Sequence, residues 1–134
     1  MEIIKKGFTL KYEILDMNMI KVTKKGSNKD FDWNDSITIR TSNVFQDEDE
    51  ELGFIDKEEI IEFKFPCENL TQVSELNLLF RTLKKAGVVI QVDGFLPRKI
   101  ENNPILQVTV TDTPLELMQR YHKDMPKKTD TKAS

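Results

Sequence analysis

One stretch limits the folds open to this chain more than any other, Leu70 to Ala86. Val73, Leu76, Leu79, Phe80 and Leu83 recur there at steps of three and four, which sets them on one stripe of a helix. Basic Arg81, Lys84 and Lys85 occupy the last turns, Gly87 follows as a stop, and Thr71 or Ser74 offers a cap at the start. The segments on either side carry the other period. Ser36 to Phe45 alternates Ile37, Ile39 and Thr41 with Thr38, Arg40 and Ser42. Glu59 to Phe65 reads as a strand stopped by Pro66, which cannot donate to a ladder. Val88 to Leu96 and Ile105 to Val110 are two further strands, joined by a loop holding Asn102, Asn103 and Pro104. One strong helix set among strands in this order fits several small α+β barrels.

The flanks add less. Phe8, Leu10, Tyr12 and Ile14 alternate with Lys11 and Glu13 in a half-buried strand. Met17 to Val22 continues it after a bend or begins a second strand. Lys24 to Asp30 is a turn, and Pro114 to Tyr121 a short helix with proline in its first turn. The reading is one domain over residues 1–122 and a disordered polar tail over 123–134.

The net charge of -3 hides a sharp asymmetry. Residues 47–62 hold nine acids and one lysine, or -8, so the rest of the chain sums to +5. A mildly basic body of this kind can bind a polyanion locally whatever its total charge. Asp47 to Lys57 reads as a mobile, solvated loop that repels phosphate and limits affinity. It does not read as a calcium site. Asp47, Asp49, Glu51 and Glu58 fall at ligand positions, but Leu52 stands where the turn needs glycine and Gly53 comes one residue late. The single cysteine, Cys67, allows no disulfide within the chain and has no nearby base to make it a nucleophile. His122, the one histidine, lies near the tail. No glycine-rich phosphate loop, signal-like start or membrane-length apolar run is present. The expectation is a cytoplasmic protein that is not an enzyme and needs no cofactor.

The order of elements, with Thr41-Ser42-Asn43-Val44-Phe45, Lys85-Ala86-Gly87 and Gly94-Phe95-Leu96-Pro97-Arg98-Lys99, resembles the bacterial and phage single-stranded DNA-binding proteins. The similarity covers about residues 36–118. It implies an all-β OB fold, a five-stranded Greek-key barrel with one helix between the third and fourth strands. It also implies a homo-oligomer, dimer or tetramer, acting in DNA replication or recombination beside other proteins of those processes. Phe45 falls at the family's base-stacking aromatic and Phe65 at the next one, while Glu59 stands where a tryptophan is common. Lys127 to Ser134 lacks the acidic tip ending in Pro-Phe, which points to a phage or plasmid member.

Single-strand binding needs cations along the phosphates and flat side chains under the bases. Phe45, Phe65, Phe63, Phe95 and Trp33 are the stacking candidates, and Arg40, Lys64, Arg98 and Lys99 the phosphate candidates. Against this stands the ordinary reading of strand phenylalanines as core and of lysines as solvated charge. The rival function is an OB-fold replication accessory whose acidic loop docks a basic protein and whose own DNA affinity is negligible.

Overall fold

The computed structural model describes residues 9–30, 32–99 and 105–124, with the side chains of residues 43–45 left aside. Phe8, the loop at Asn102 to Pro104 and the tail from Met125 onward fall outside the described residues. The molecule is mostly β, with two α-helices among the described residues.

The helical stripe forms as its period dictates. Helix α1 (Leu70–Ala86) buries Val73, Leu76, Leu79, Phe80 and Leu83. Its cap is Asn69, whose side chain accepts from the Gln72 N–H at 2.9 Å, so neither Thr71 nor Ser74 caps it. Gly87 ends it in the left-handed region at φ 72°, donating its N–H to Leu83 and Lys84. Lys84 and Lys85 in the last turn oppose the negative end of the helix dipole.

The nine strands are β1 (Leu10–Ile14), β2 (Met19–Thr23), β3 (Gly26–Ser27), β4 (Asp32–Trp33), β5 (Ser36–Asp49), β6 (Gly53–Pro66), β7 (Ile90–Gly94), β8 (Arg98–Lys99) and β9 (Leu106–Thr109). Their ladders form a five-stranded sheet in the order β2-β5-β6-β9-β8 and two small sheets, β1-β7 and β3-β4. All pairs are antiparallel except β6 with β9. The first apolar segment is two strands in different sheets, β1 and β2. Its first half pairs with β7 and its second with β5, and Met17 is buried in the link between them.

The acidic segment is not a loop. β5 and β6 pair without a break from Ser36–Pro66 out to Asp49–Gly53. The turn between them is closed by the Asp49 carboxylate, which accepts from the N–H groups of Glu51 and Leu52 at 2.8 and 2.9 Å, and by Gly53 at φ 80°. High charge density forbids packing in a core, but a hydrogen-bonded ribbon needs none. Its backbone groups satisfy each other, and Glu48, Glu50, Glu51, Asp56, Glu58 and Glu59 are exposed.

The inward rows of the sheet are apolar. Ile37 and Ile39 on β5 lie across from Phe65 and Phe63 on β6, and all four are buried. Phe65 meets Phe80 of α1 with ring centroids 4.7 Å apart. Phe63 meets the edge of Tyr12 on β1 at 5.6 Å, so one core serves both the large sheet and the β1-β7 pair. Helix α2 (Pro114–Arg120) starts on a capping box between Thr113 and Glu116 and buries Leu117. The Tyr121 hydroxyl accepts from the Gln91 N–H at 2.7 Å and ties this end to β7. A 3₁₀ turn at His122–Asp124 reaches two residues into the expected tail.

The end of β7 meets the chain just past β9 at one isolated bridge, Gly94 with Val110. The Phe95 N–H donates to the Thr109 carbonyl at 3.0 Å and the Thr111 N–H to the Asp93 carbonyl at 2.8 Å. A Cβ on Gly94 would lie 2.7 Å from Val108 Cγ1 and 3.0 Å from the Thr109 carbonyl oxygen, so glycine is what lets these backbones cross so closely.

Candidate nucleic-acid interface

Side chains directly opposite each other across a ladder share a face. With Ile37, Ile39, Phe63 and Phe65 turned inward, the pairings fix the outward rows. One row is Lys21, Thr38, Lys64 and Thr109, across β2, β5, β6 and β9, with Thr38 buried at 6% exposure between the two lysines. The next is Met19, Arg40, Glu62, Gln107 and Arg98, across all five strands. Phe95 follows Gly94 and is joined through its N–H to Thr109, at the end of the first row. Its side chain is 42% exposed. The Tyr12 hydroxyl donates to the Phe95 carbonyl at 2.8 Å and fixes the backbone there.

These rows carry cations on a hydrogen-bonded sheet. Lys21 and Arg98 are exposed and Lys64 half-buried, and none of the three forms a salt bridge to another described residue. Arg40 is committed elsewhere. Its Nε and one terminal nitrogen donate to one oxygen of the nearly buried Glu62 carboxylate at 3.0 and 2.7 Å. That pairing satisfies a carboxylate held out of water, and it leaves Arg40 less charge to offer a phosphate.

The structure redistributes the sequence candidates. Phe63 and Phe65 are 4% and 1% exposed, so their faces meet the core and cannot meet a base; the stacking role expected of them is corrected. Trp33 is half-buried in the β3-β4 hairpin, where its indole N–H donates to the Lys24 carbonyl at 2.9 Å and its ring covers Gly26. The Phe45 side chain lies outside the description, and its backbone pairs with Lys57 beyond the five-stranded sheet. Lys99 stands opposite Leu106, one residue from Arg98 and so on the other face of its strand. Lys64, Arg98 and Phe95 are brought to one face, and Lys21 joins them. The signal for Lys21 was the alternation of Ile20 and Val22 around it, but only the β2-β5 register places it beside Lys64.

Among the described residues no group of three or more His, Cys, Asp and Glu side chains is placed to hold a metal ion, and no helix is long and apolar enough to cross a membrane. Burial, with the Asp35 carboxylate adding to it, pushes the Cys67 thiol up to about 11. It therefore remains a protonated, packed group at neutral pH. Comparison with protein-family models, with curated proteins and with solved structures found no match.

Proposed function

We propose that this chain binds single-stranded DNA without strong sequence preference, on the outward face of its five-stranded sheet, in replication or recombination of phage or plasmid DNA. The observation that carries the reading is that Lys21 and Lys64, on either side of the buried Thr38, lie in one row with Thr109 and the exposed ring of Phe95. A strip of cations tracks a phosphate chain, and an exposed ring beside it gives a base a flat platform, which is the minimum that single-strand binding requires.

The three sheets are not closed into a barrel, but the order of their pairings is consistent with an open OB-type scaffold. Followed through its pairs, the chain runs from β2 to β5, from β5 to β6, and in parallel from β6 to β9. It passes from β9 to β7 through the Gly94–Val110 bridge, and from β7 to β1, which continues into β2. With β1 and β2 counted as one bent strand, this circuit has five members, and α1 lies between the third and the fourth. On this reading the chain is a binding protein with no catalytic step. The rival reading, a protein-docking accessory, is favoured by one observation, the acidic hairpin that stands off the sheet.

A salt titration separates working cations from incidental ones. Each phosphate contact to a single strand contributes about 0.7 to the slope of log affinity against log salt. Lys64→Gln should lower that slope by about 0.7 and weaken binding of oligo-dT, and Arg98→Gln should do the same. Lys99→Gln, on the opposite face, should leave the slope unchanged. Equal effects at Arg98 and Lys99 would remove the sheet face from the account.

A further inference from the structure

The β5/β6 hairpin outruns its sheet. The β2 pairing ends at Arg40, and the β9 pairing begins at Ile61, so residues 43–59 form a two-stranded arm that pairs with no third strand among the described residues. The arm carries eight acids and one lysine, a net -7. Seven paired positions at about 3.3 Å each carry it roughly 20 Å outward. At its end stand Leu52 and Phe54, 73% and 72% exposed, the most exposed large apolar side chains among the described residues. A lone two-stranded ribbon is at best marginally stable in water, and an aromatic ring at its end leaves water only if another surface receives it.

The same chain offers a surface of matching chemistry. A groove of about 420 Å³ lies between the β1–β2 link and the C-terminal end of α1. Leu15, Met17 and Val88 give it apolar walls, with Leu15 itself 68% exposed. Gly87 adds no side chain, and a Cβ there would meet nothing within 4 Å. Lys84 lines the groove beside Asp16, and exposed Lys85 and Arg81 stand on the same helix end. The groove sets Leu15, Met17 and Val88 beside Asp16, Asn18 and Lys84, and the helix end next to it carries Lys85 and Arg81; the arm is apolar at its tip and acidic along its length.

We infer that the arm of one copy seats Leu52 and Phe54 in the α1-end groove of a second copy. The two surfaces differ, so the contact is head-to-tail and leaves a free arm and a free groove at the ends of every assembly. Such contacts build open chains unless the rotation happens to close a ring. The inference stands on shape and charge in the protein alone and is tested without nucleic acid, so its failure would leave the DNA reading untouched.

Sedimentation velocity of the full chain over a range of concentrations, at low and at high salt, tests it. The expected result is association that grows past the dimer at low salt and shrinks as salt screens the charges. Phe54→Ser should raise the concentration needed for association at least about tenfold, with an unchanged melting curve because the side chain is exposed. Lys84→Glu with Lys85→Glu, or Glu50→Lys with Glu51→Lys, should each weaken association, and all four changes in one chain should restore it. A monomer at every concentration, association indifferent to Phe54→Ser, or a reversal pair without mutual rescue would overturn the inference. Loss of association with Phe54→Ser but not with the lysine reversals would also overturn it, because the arm would then seat on another surface.

Discussion

Phe65→Ala should cost about 3–5 kcal/mol of folding stability, read as the shift in the urea unfolding midpoint at constant slope. Phe65 is 1% exposed, and its ring packs on Phe80 at 4.7 Å between the sheet and α1. Removing it leaves a cavity between two elements that both present apolar faces there, and neither can close the gap without losing its other contacts. Single-strand affinity per folded molecule should stay near that of the unmodified protein, since the ring reaches no outward surface. A stable Phe65→Ala protein that has lost binding would return this residue to the stacking set and contradict the assignment of the inward face.

Phe95→Ala should show the opposite pattern. Stacking of a base on an aromatic side chain is worth about 1–3 kcal/mol, so affinity for oligo-dT should fall by roughly 5- to 150-fold. The melting temperature should change little, because the ring is 42% exposed and its backbone is held by Tyr12 and Thr109 whatever the side chain is. Phe95→Trp should preserve or strengthen binding. If Phe95→Ala instead costs stability and spares affinity, the ring is covering the core at the β7–β9 crossing.

The contrast between these two phenylalanines shows what the sequence carried. On β5 and β6 the apolar residues share one parity: Ile37 with Ile39, and Ile61 with Phe63 and Phe65. That parity alone already argued for an inward Phe63 and Phe65, and the polar residues between them for the opposite face, where Arg40 and Lys64 are half-buried and Thr38 and Glu62 are buried. The helix was equally legible, because five buried positions at a period near 3.6 admit no other element. Its cap was misplaced by a few residues, as the boundary depends on Asn69 and not on the periodic stripe.

The arm was not legible. A run of acids breaks the alternation that marks a half-buried strand, since a hydrogen-bonded ribbon beyond the sheet has no inner side to fill with apolar residues. Its only local signal was Gly53 after Asp49 to Leu52, a turn at the far end of two strands and not the middle of a loop. The site was half legible for a related reason. Composition names cations, but only register decides which share a face: Lys21 gains its neighbour Lys64 across β5, whereas Lys99, adjacent to Arg98 in sequence, faces away from it. The Arg40–Glu62 pair was hidden too, because the two residues are 22 apart and meet only through the hairpin.

The central claim is that the sheet face takes single strands. Its most direct test is fluorescence anisotropy with labelled oligo-dT and with a duplex of equal length, each titrated at several salt concentrations. A strip of cations ending at one exposed ring can pay out its full binding energy only to a chain whose bases are free to stack. The account predicts tighter binding to oligo-dT than to duplex at every salt concentration, with log affinity falling linearly as log salt rises. Equal affinity for the two, or no binding to either at low salt, would contradict it.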